Sequence, residues 1–308
     1  TKKVTLVDKA EASAIYSYAW SPDSRYIVYT RPEIRSNARI YIYSLEQEKS
    51  IPVTDSWYSS SSPEFSADGK YLFFISQRTF TPRYGALEFN HIYTDMSKVY
   101  MITLAKDTKS PFAPKSDETA ITEENKGDKK ESDKKEPAKE QKSGNQVTVK
   151  IDFDGILNRI IEVTPQAGDY FGLSSVPGKL YYLKRVSPEP RAKLTFFDFE
   201  KLKENDLGPV YGYEISADKK KMLVLGDRSY SIIDLPVSRV EPRERLDLSD
   251  MKVVLDRHAE WNQIFNESWR QMRDFLFDPN MHGVDWEKMK KTYEPLVKYV
   301  NHRADLTY

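Results

Sequence analysis

The sequence contains no cysteine, which removes a disulfide framework, a thiolate zinc site and a thiol nucleophile from consideration. Glycine is scarce, 12 residues in 308, and neither a dinucleotide fingerprint nor a phosphate-binding P-loop occurs. No apolar run approaches the roughly 20 residues that span a bilayer as a helix. A dominant charge is missing as well. Lys plus Arg and Asp plus Glu both number 47, for a formal net charge of zero, so no general field holds phosphate backbones or anionic lipid. Neither nucleic acid nor a membrane is expected as a partner. The lack of cysteine leaves the compartment open, because cytosolic and periplasmic proteins can both do without it.

What is present suits a buried core: 39% of residues are hydrophobic and 13% aromatic. Three segments superimpose without gaps: Trp20-Ser-Pro-Asp-Ser-Arg-Tyr-Ile-Val-Tyr-Thr30, Phe65-Ser-Ala-Asp-Gly-Lys-Tyr-Leu-Phe-Phe-Ile75 and Ile215-Ser-Ala-Asp-Lys-Lys-Lys-Met-Leu-Val-Leu225. In each, a strand ends at the apolar residue and Ser-x-Asp-x turns the chain through side-chain-to-backbone hydrogen bonds. A buried strand follows. Alternating strands lie a short way on, at Arg39–Tyr43, Lys98–Ile102 and Ser229–Ile233. A weaker fourth copy runs from Leu173 to Leu183 and continues through Leu194–Phe199. Ser21 and Ser66 are 45 positions apart, Ser174 and Ser216 are 42 apart. This period, with four short strands per unit, predicts β-propeller blades, about four of them and part of a larger propeller.

Two insertions interrupt the blades. The stretch from Thr79 to Ser97 is aromatic and contains proline, so an ordered loop is expected there. Residues 113–146 have a core without large apolar side chains (Glu123 to Glu140). Such a composition buries too little to offset the entropy of ordering and predicts a flexible surface loop. Val147, Val149, Ile151 and Phe153 then alternate as one face of a strand. The serine run Ser59–Ser62 is most simply an inter-strand turn.

Beyond a polar connector the period changes to 3.6. Trp261, Phe265, Trp269, Met272 and Leu276 form one helical stripe that stops before Asp278-Pro279. A second helix carries Trp286, Met289, Tyr293, Leu296, Val297 and Val300, capped by Asp285 and interrupted at Pro295. Asn301–Tyr308 turns into a third helix. The organisation read from these patterns is propeller blades over residues 1–240, a connector over 241–257 and the start of a helical subdomain over 258–308. Because Thr1–Ala10 alternates like a strand, the natural N-terminus is expected upstream, with any targeting signal.

Site chemistry is sparse. His91, His258, His282 and His302 are isolated, without His-Glu-x-x-His or i, i+4 spacing for zinc. No Gly-x-Ser-x-Gly elbow occurs. Blade aromatics such as Tyr41, Tyr43, Phe73, Phe74, Tyr181 and Tyr182 fit the space between sheets. Arg78, Arg83 and Arg185 are candidates for the wall of a central channel. No catalytic, cofactor-binding or metal-ligating residue is assigned, and no cofactor is expected.

The Ser-Pro-Asp-Ser-Arg-Tyr-Ile-Val-Tyr and Ser-Ala-Asp-Gly-Lys-Tyr-Leu-Phe-Phe repeats resemble those of TolB-type proteins, prolyl-oligopeptidase relatives and tricorn proteases. Two further stretches, Val149–Val163 and Glu260–Trp286 with its continuation through Tyr293-Glu-Pro-Leu-Val297 and Arg303-Ala-Asp-Leu306, are similar to bacterial tricorn-like proteases. The resemblance covers essentially the whole chain and implies the end of a second propeller followed by the entry of the helical C1-type subdomain. It implies a serine-type peptidase degrading oligopeptides, with PDZ-like and α/β subdomains as the remaining parts, a possible homo-oligomer, and a cytoplasmic location or, behind a signal peptide, a periplasmic one. The family's catalytic Ser-His dipeptide occurs nowhere in this sequence, so the chain alone is expected to be inactive, serving as a gating and scaffolding propeller. A non-enzymatic TolB-like propeller that binds protein or peptide is the alternative.

Overall fold

The computed structural model describes residues 4–11, 13–15, 17–85, 90–114, 147–241 and 244–308. The chain separates into two compact units, Thr1–Leu246 and Asp247–Tyr308. Most of the 113–146 insertion, from residue 115 onward, lies outside the described residues.

Among the described residues the first unit holds four antiparallel sheets of three or four strands in chain order, and one two-stranded pair. Sheet one pairs β1 (Tyr18–Trp20), β2 (Tyr26–Arg31), β3 (Arg39–Ser44) and β4 (Lys49–Pro52). Sheet two begins with β5 (Ser60–Phe65) and β6 (Tyr71–Ser76). A small hairpin of β7 (Arg83–Tyr84) and β8 (His91–Ile92) intervenes, and β9 (Lys98–Thr103) and β10 (Ile160–Glu162) complete the sheet in the order β10-β9-β6-β5. Sheet three is β11 (Asp169–Val176), β12 (Lys179–Arg185), β13 (Lys193–Asp198) and β14 (Lys203–Pro209); sheet four is β15 (Gly212–Ile215), β16 (Lys221–Leu225) and β17 (Tyr230–Asp234).

The repeated turn explains why these residues recur. In the first copy Ser21 Oγ donates to Asp23 Oδ1 at 2.6 Å and accepts from the Tyr26 N–H at 2.9 Å, while Asp23 accepts from the Arg25 N–H at 3.2 Å. The second copy repeats this with Ser66 Oγ to Asp68 at 2.6 Å and the N–H groups of Tyr71 and Lys70 at 2.9 and 3.2 Å. The third gapless copy, in sheet four, does so with Ser216 and Asp218, again 2.6 Å apart. The residue after the aspartate is left-handed each time: Ser24 at φ 58°, Gly69 at φ 70° and Lys219 at φ 60°. Only glycine occupies that region without a Cβ penalty. Lys219→Gly is therefore expected to stabilise the first unit by about 0.5–1 kcal/mol, because relief of the strain exceeds glycine's entropic cost. Chemical denaturation measures it; an unchanged or lowered midpoint would contradict the strain.

Side-chain alternation places the core between sheets. Leu72, Phe74, Tyr100 and Ile102 join Val28, Ile40 and Ile42 between sheets one and two. Their neighbours Phe73, Ile75, Val99 and Met101 point the other way, onto Tyr170, Leu180, Tyr182 and Phe197 of sheet three. Tyr181, Leu194 and Phe196 then meet Ile215, Met222 and Val224 of sheet four. Each middle sheet thus buries both faces, as a propeller blade must. Phe73, Phe74, Tyr181 and Tyr182 fill these wedges as expected, whereas Tyr41 and Tyr43 do not: they join Tyr29 in a separate cluster on sheet one, with Val7, Ile15 and Ile27 against it.

Three segments differ from the sequence reading. Residues 4–10, which alternate like a strand, form none. Ser60–Ser62 belongs to strand β5, not to a turn; its register shifts between Ser61 and Glu64, with Ser62 at φ 52°. A serine-rich stretch suits that bulge as well as it suits a turn. Residues 147–153 form no strand. Their alternation reflects burial on one face, since Val149 enters the core with Ile151 and Phe153 packed against it. Their backbone bonds go elsewhere: the Val149 N–H donates to Asp23 Oδ2 at 2.8 Å and the Asp152 N–H to the Leu104 carbonyl at 2.9 Å. The outer strand of sheet two is β10 instead.

In the second unit α1 (Arg257–Phe275) is capped by Asp256, whose carboxylate accepts from the N–H groups of His258 and Ala259 at 3.0 and 3.1 Å. Helix α2 (Trp286–Tyr293) is capped by Asp285, which accepts from the Lys288 N–H at 2.9 Å. It tightens into a 3₁₀ turn over Glu294–Tyr299, so Pro295 breaks the helix where the missing N–H requires. A short α3 (Arg303–Thr307) follows, with His302 as its cap.

Candidate functional site

The first strands of successive sheets lie side by side, β5 packing against both β1 and β11. Polar groups tie them together across the sheet boundaries. The Ser175 N–H donates to Glu64 Oε1 at 3.3 Å, and the Ser175 hydroxyl accepts from the Ala67 N–H at 3.1 Å. The Tyr213 hydroxyl donates to the Gly172 carbonyl, linking sheet four to sheet three. Burial pushes the Glu64 carboxyl above the ordinary carboxylate range, with Glu214 adding to the rise and the Ser175 N–H and Lys219 partly offsetting it.

The sign of the resulting pH effect is fixed. A carboxyl whose folded pKa is raised contributes most to stability below its unfolded value and costs stability as pH climbs through the folded value. Glu64→Gln keeps an acceptor for the Ser175 N–H and removes the buried charge. At pH 7.5 it should raise the unfolding free energy by up to about 1 kcal/mol, fading near pH 4 where Glu64 is neutral. Equal gains at both pH values would show that charge is not the cause.

The three arginines proposed for a channel wall are engaged separately. Arg78 is half-buried, its guanidinium 5.1 Å from the Tyr58 ring and 5.2 Å from Tyr100, with Nη2 3.7 Å from Asp55. Arg83 is exposed on β7. Arg185 pairs with Asp169 at 2.7 Å and lies over Phe171. The insertion around β7 and β8 is ordered locally by rings: Phe80 against Tyr93 at 5.5 Å, and Tyr84 edge-on to His91 at 5.5 Å.

The histidines are apart. His258 meets Trp261 edge-on at 5.1 Å, His282 Nδ1 lies 3.2 Å from Asp278, and His302 Nδ1 accepts from the Ala304 N–H at 3.2 Å. Among the described residues, no group of three or more His, Cys, Asp or Glu is placed to hold a metal, and no helix is long and apolar enough to cross a membrane.

Sequence reasoning missed Arg159. Its guanidinium donates to the carbonyls of Thr103 at 2.9 Å, Leu104 at 3.1 Å, Asp154 at 3.3 Å and Asp152, fastening the segment that returns the chain to β10. It missed also the cleft between α1 and α2, of about 220 Å³, whose lining includes Trp269, Met272, Trp286 and Met289. The arrangement as a whole is one of latches and packing surfaces.

Comparison with known proteins agrees with the layout. Residues 1–236 match the profile of the tricorn protease second β-propeller domain, and residues 257–308 that of the tricorn protease C1 domain. A tricorn-like protease C-terminal subunit from Sulfurisphaera tokodaii is 30% identical over all of this chain and 34% of its own length. Tricorn protease homolog 1 from Streptomyces coelicolor is 27% identical over 99% of this chain and 29% of its own. In the crystal structure of the tricorn protease, 29% of that chain superimposes on 98% of this one with a TM-score of 0.75 at 18% identity, which shows the shared fold. The chain spans about a third of the length of these relatives. With one profile over the sheets and the next over the helices, the chain belongs to the tricorn protease family.

Proposed function

We propose that this chain is the scaffolding and substrate-gating part of a serine-type peptidase that degrades oligopeptides, with the catalytic residues outside these 308 residues. The observation that carries the reading is the order of the two family matches, second propeller then C1 domain, across nearly the whole chain. The remaining PDZ-like and α/β subdomains are its intramolecular partners in this reading, and a homo-oligomer its assembly. Cytoplasmic residence is part of the same proposal, with the periplasm as alternative.

The chemistry requires a nucleophile, a base that activates it and donors for the developing oxyanion, all within hydrogen-bonding reach. The test compares residues 1–308 with the polypeptide of the longest reading frame that contains them, using fluorogenic oligopeptides and a serine-directed inhibitor. The long polypeptide is expected to turn over peptide and be inhibited, the shorter chain to do neither. Inhibitor-sensitive turnover by residues 1–308 would place the active site here. An inactive long polypeptide would move the reading to a peptide-binding propeller.

A further inference from the structure

The helical unit buries little by itself. Its core is Trp261, Val297 and Val300, with Ile264, Phe265 and Leu306 against them. Phe275 and Phe277 are 80% and 84% exposed, and Met272, Tyr293, Leu296 and Tyr299 are also open. Units of this length rarely leave so large an apolar surface to solvent unless something covers it.

The surface has a shaped centre, the cleft of about 220 Å³ between α1 and α2. Its walls are held rigidly: the Trp269 indole N–H donates to the Trp286 carbonyl and the Trp286 indole N–H to the Trp269 carbonyl, both at 3.0 Å. The Lys290 ammonium lies 4.8 Å and the Arg273 guanidinium 4.9 Å from the Trp269 ring. Both indole donors are therefore spent, and an entering group meets ring carbon and the Met272 and Met289 side chains. Rigid aromatic walls with adaptable methionines suit an aliphatic or aromatic side chain.

We propose that the cleft seats an apolar side chain from a later segment of the same, longer polypeptide. The inference rests on the family reading above, since the relatives are about three times the length of this chain. Helix α3 supports it: Leu306 packs onto the Trp261 cluster, so any polypeptide that follows Tyr308 would start beside the core of the unit that carries the cleft. A segment tethered so near has a millimolar effective concentration, enough for one anchor to bind.

The test uses the long polypeptide and residues 1–308 side by side. Ser268 lines the cleft and the chain has no cysteine, so Ser268→Cys introduces a thiol whose maleimide labelling is read by mass spectrometry of that peptide. Labelling is expected to be at least about tenfold slower in the long polypeptide. Peroxide oxidation of Met272 and Met289 in the unsubstituted proteins should slow similarly and needs no variant to fold. A benzophenone carried on the position-268 thiol should cross-link to a peptide beyond Tyr308. Equal rates in both proteins, cross-links to residues 1–246 or between two copies, or a reading frame ending at Tyr308 would overturn the proposal. Peptidase activity enters none of these readouts, so protection in an inactive polypeptide would uphold the occupant while removing the functional reading.

Discussion

Gly69→Ala should cost the first unit about 2–4 kcal/mol, lowering its Tm by roughly 5–12 °C. Two separate effects add. Gly69 sits at φ 70°, where a Cβ brings the left-handed penalty. An ideal Cβ there would also lie 2.8 Å from Val149 Cγ2 and 3.0 Å from Val147 Cγ1. Val149 cannot retreat easily, because it is fully buried and its N–H is held by Asp23. Gly178→Ala provides the control. Its φ is 72° in the equivalent turn of sheet three, with nothing within 4 Å of the added carbon, so it should show the backbone cost alone, about 1 kcal/mol. Equal losses for the two variants, measured by thermal and chemical denaturation, would mean that residues 147–149 do not dock on the second repeat turn.

That docking marks the boundary of what was legible. The Ser-x-Asp-x turns could be recognised because their bonds are local, each made within five residues. The sheets could be recognised because alternating burial sorts Phe73 from Phe74 and Tyr181 from Tyr182 into different wedges. Alternation alone does not say whether the backbone enters a ladder. Residues 147–153 bury one face as a strand would, yet their N–H groups go to an aspartate two sheets' worth of sequence away and to a turn carbonyl. Ser60–Ser62 shows the converse: polar composition suggested a turn, and a bulged strand accommodates it. Arg159 left no signal at all, because a guanidinium gathering four carbonyls depends on where distant loops converge. The site was legible only in part for the same reason. The Trp269 stripe was visible at helical spacing, whereas its reciprocal bonding with Trp286, 17 residues on, is a tertiary fact.

The second large effect is expected in the helical unit. Trp261→Ala should release α1 from the 3₁₀ turn over Glu294–Tyr299 and from α3, raising tryptic cleavage after Arg270, Arg273 and Lys290 by more than about tenfold. Trp261 is 6% exposed and central to a core with only Val297 and Val300 equally buried. Truncating a buried tryptophan costs about 3–5 kcal/mol through lost transfer energy and the cavity left behind. A unit of this length has only about 3–5 kcal/mol to lose. Trp261→Phe separates packing from polarity. The indole Nε1 is buried without a hydrogen-bond partner among the described residues, so phenylalanine removes an unsatisfied donor while retaining most of the ring. Its cost should be below about 1.5 kcal/mol and cleavage should stay near the parent rate. Proteolysis unchanged by Trp261→Ala would show that this core does not hold the helices. Proteolysis raised as much by phenylalanine as by alanine would show that the phenyl ring does not replace the indole in this core and that the buried N–H is not a net cost.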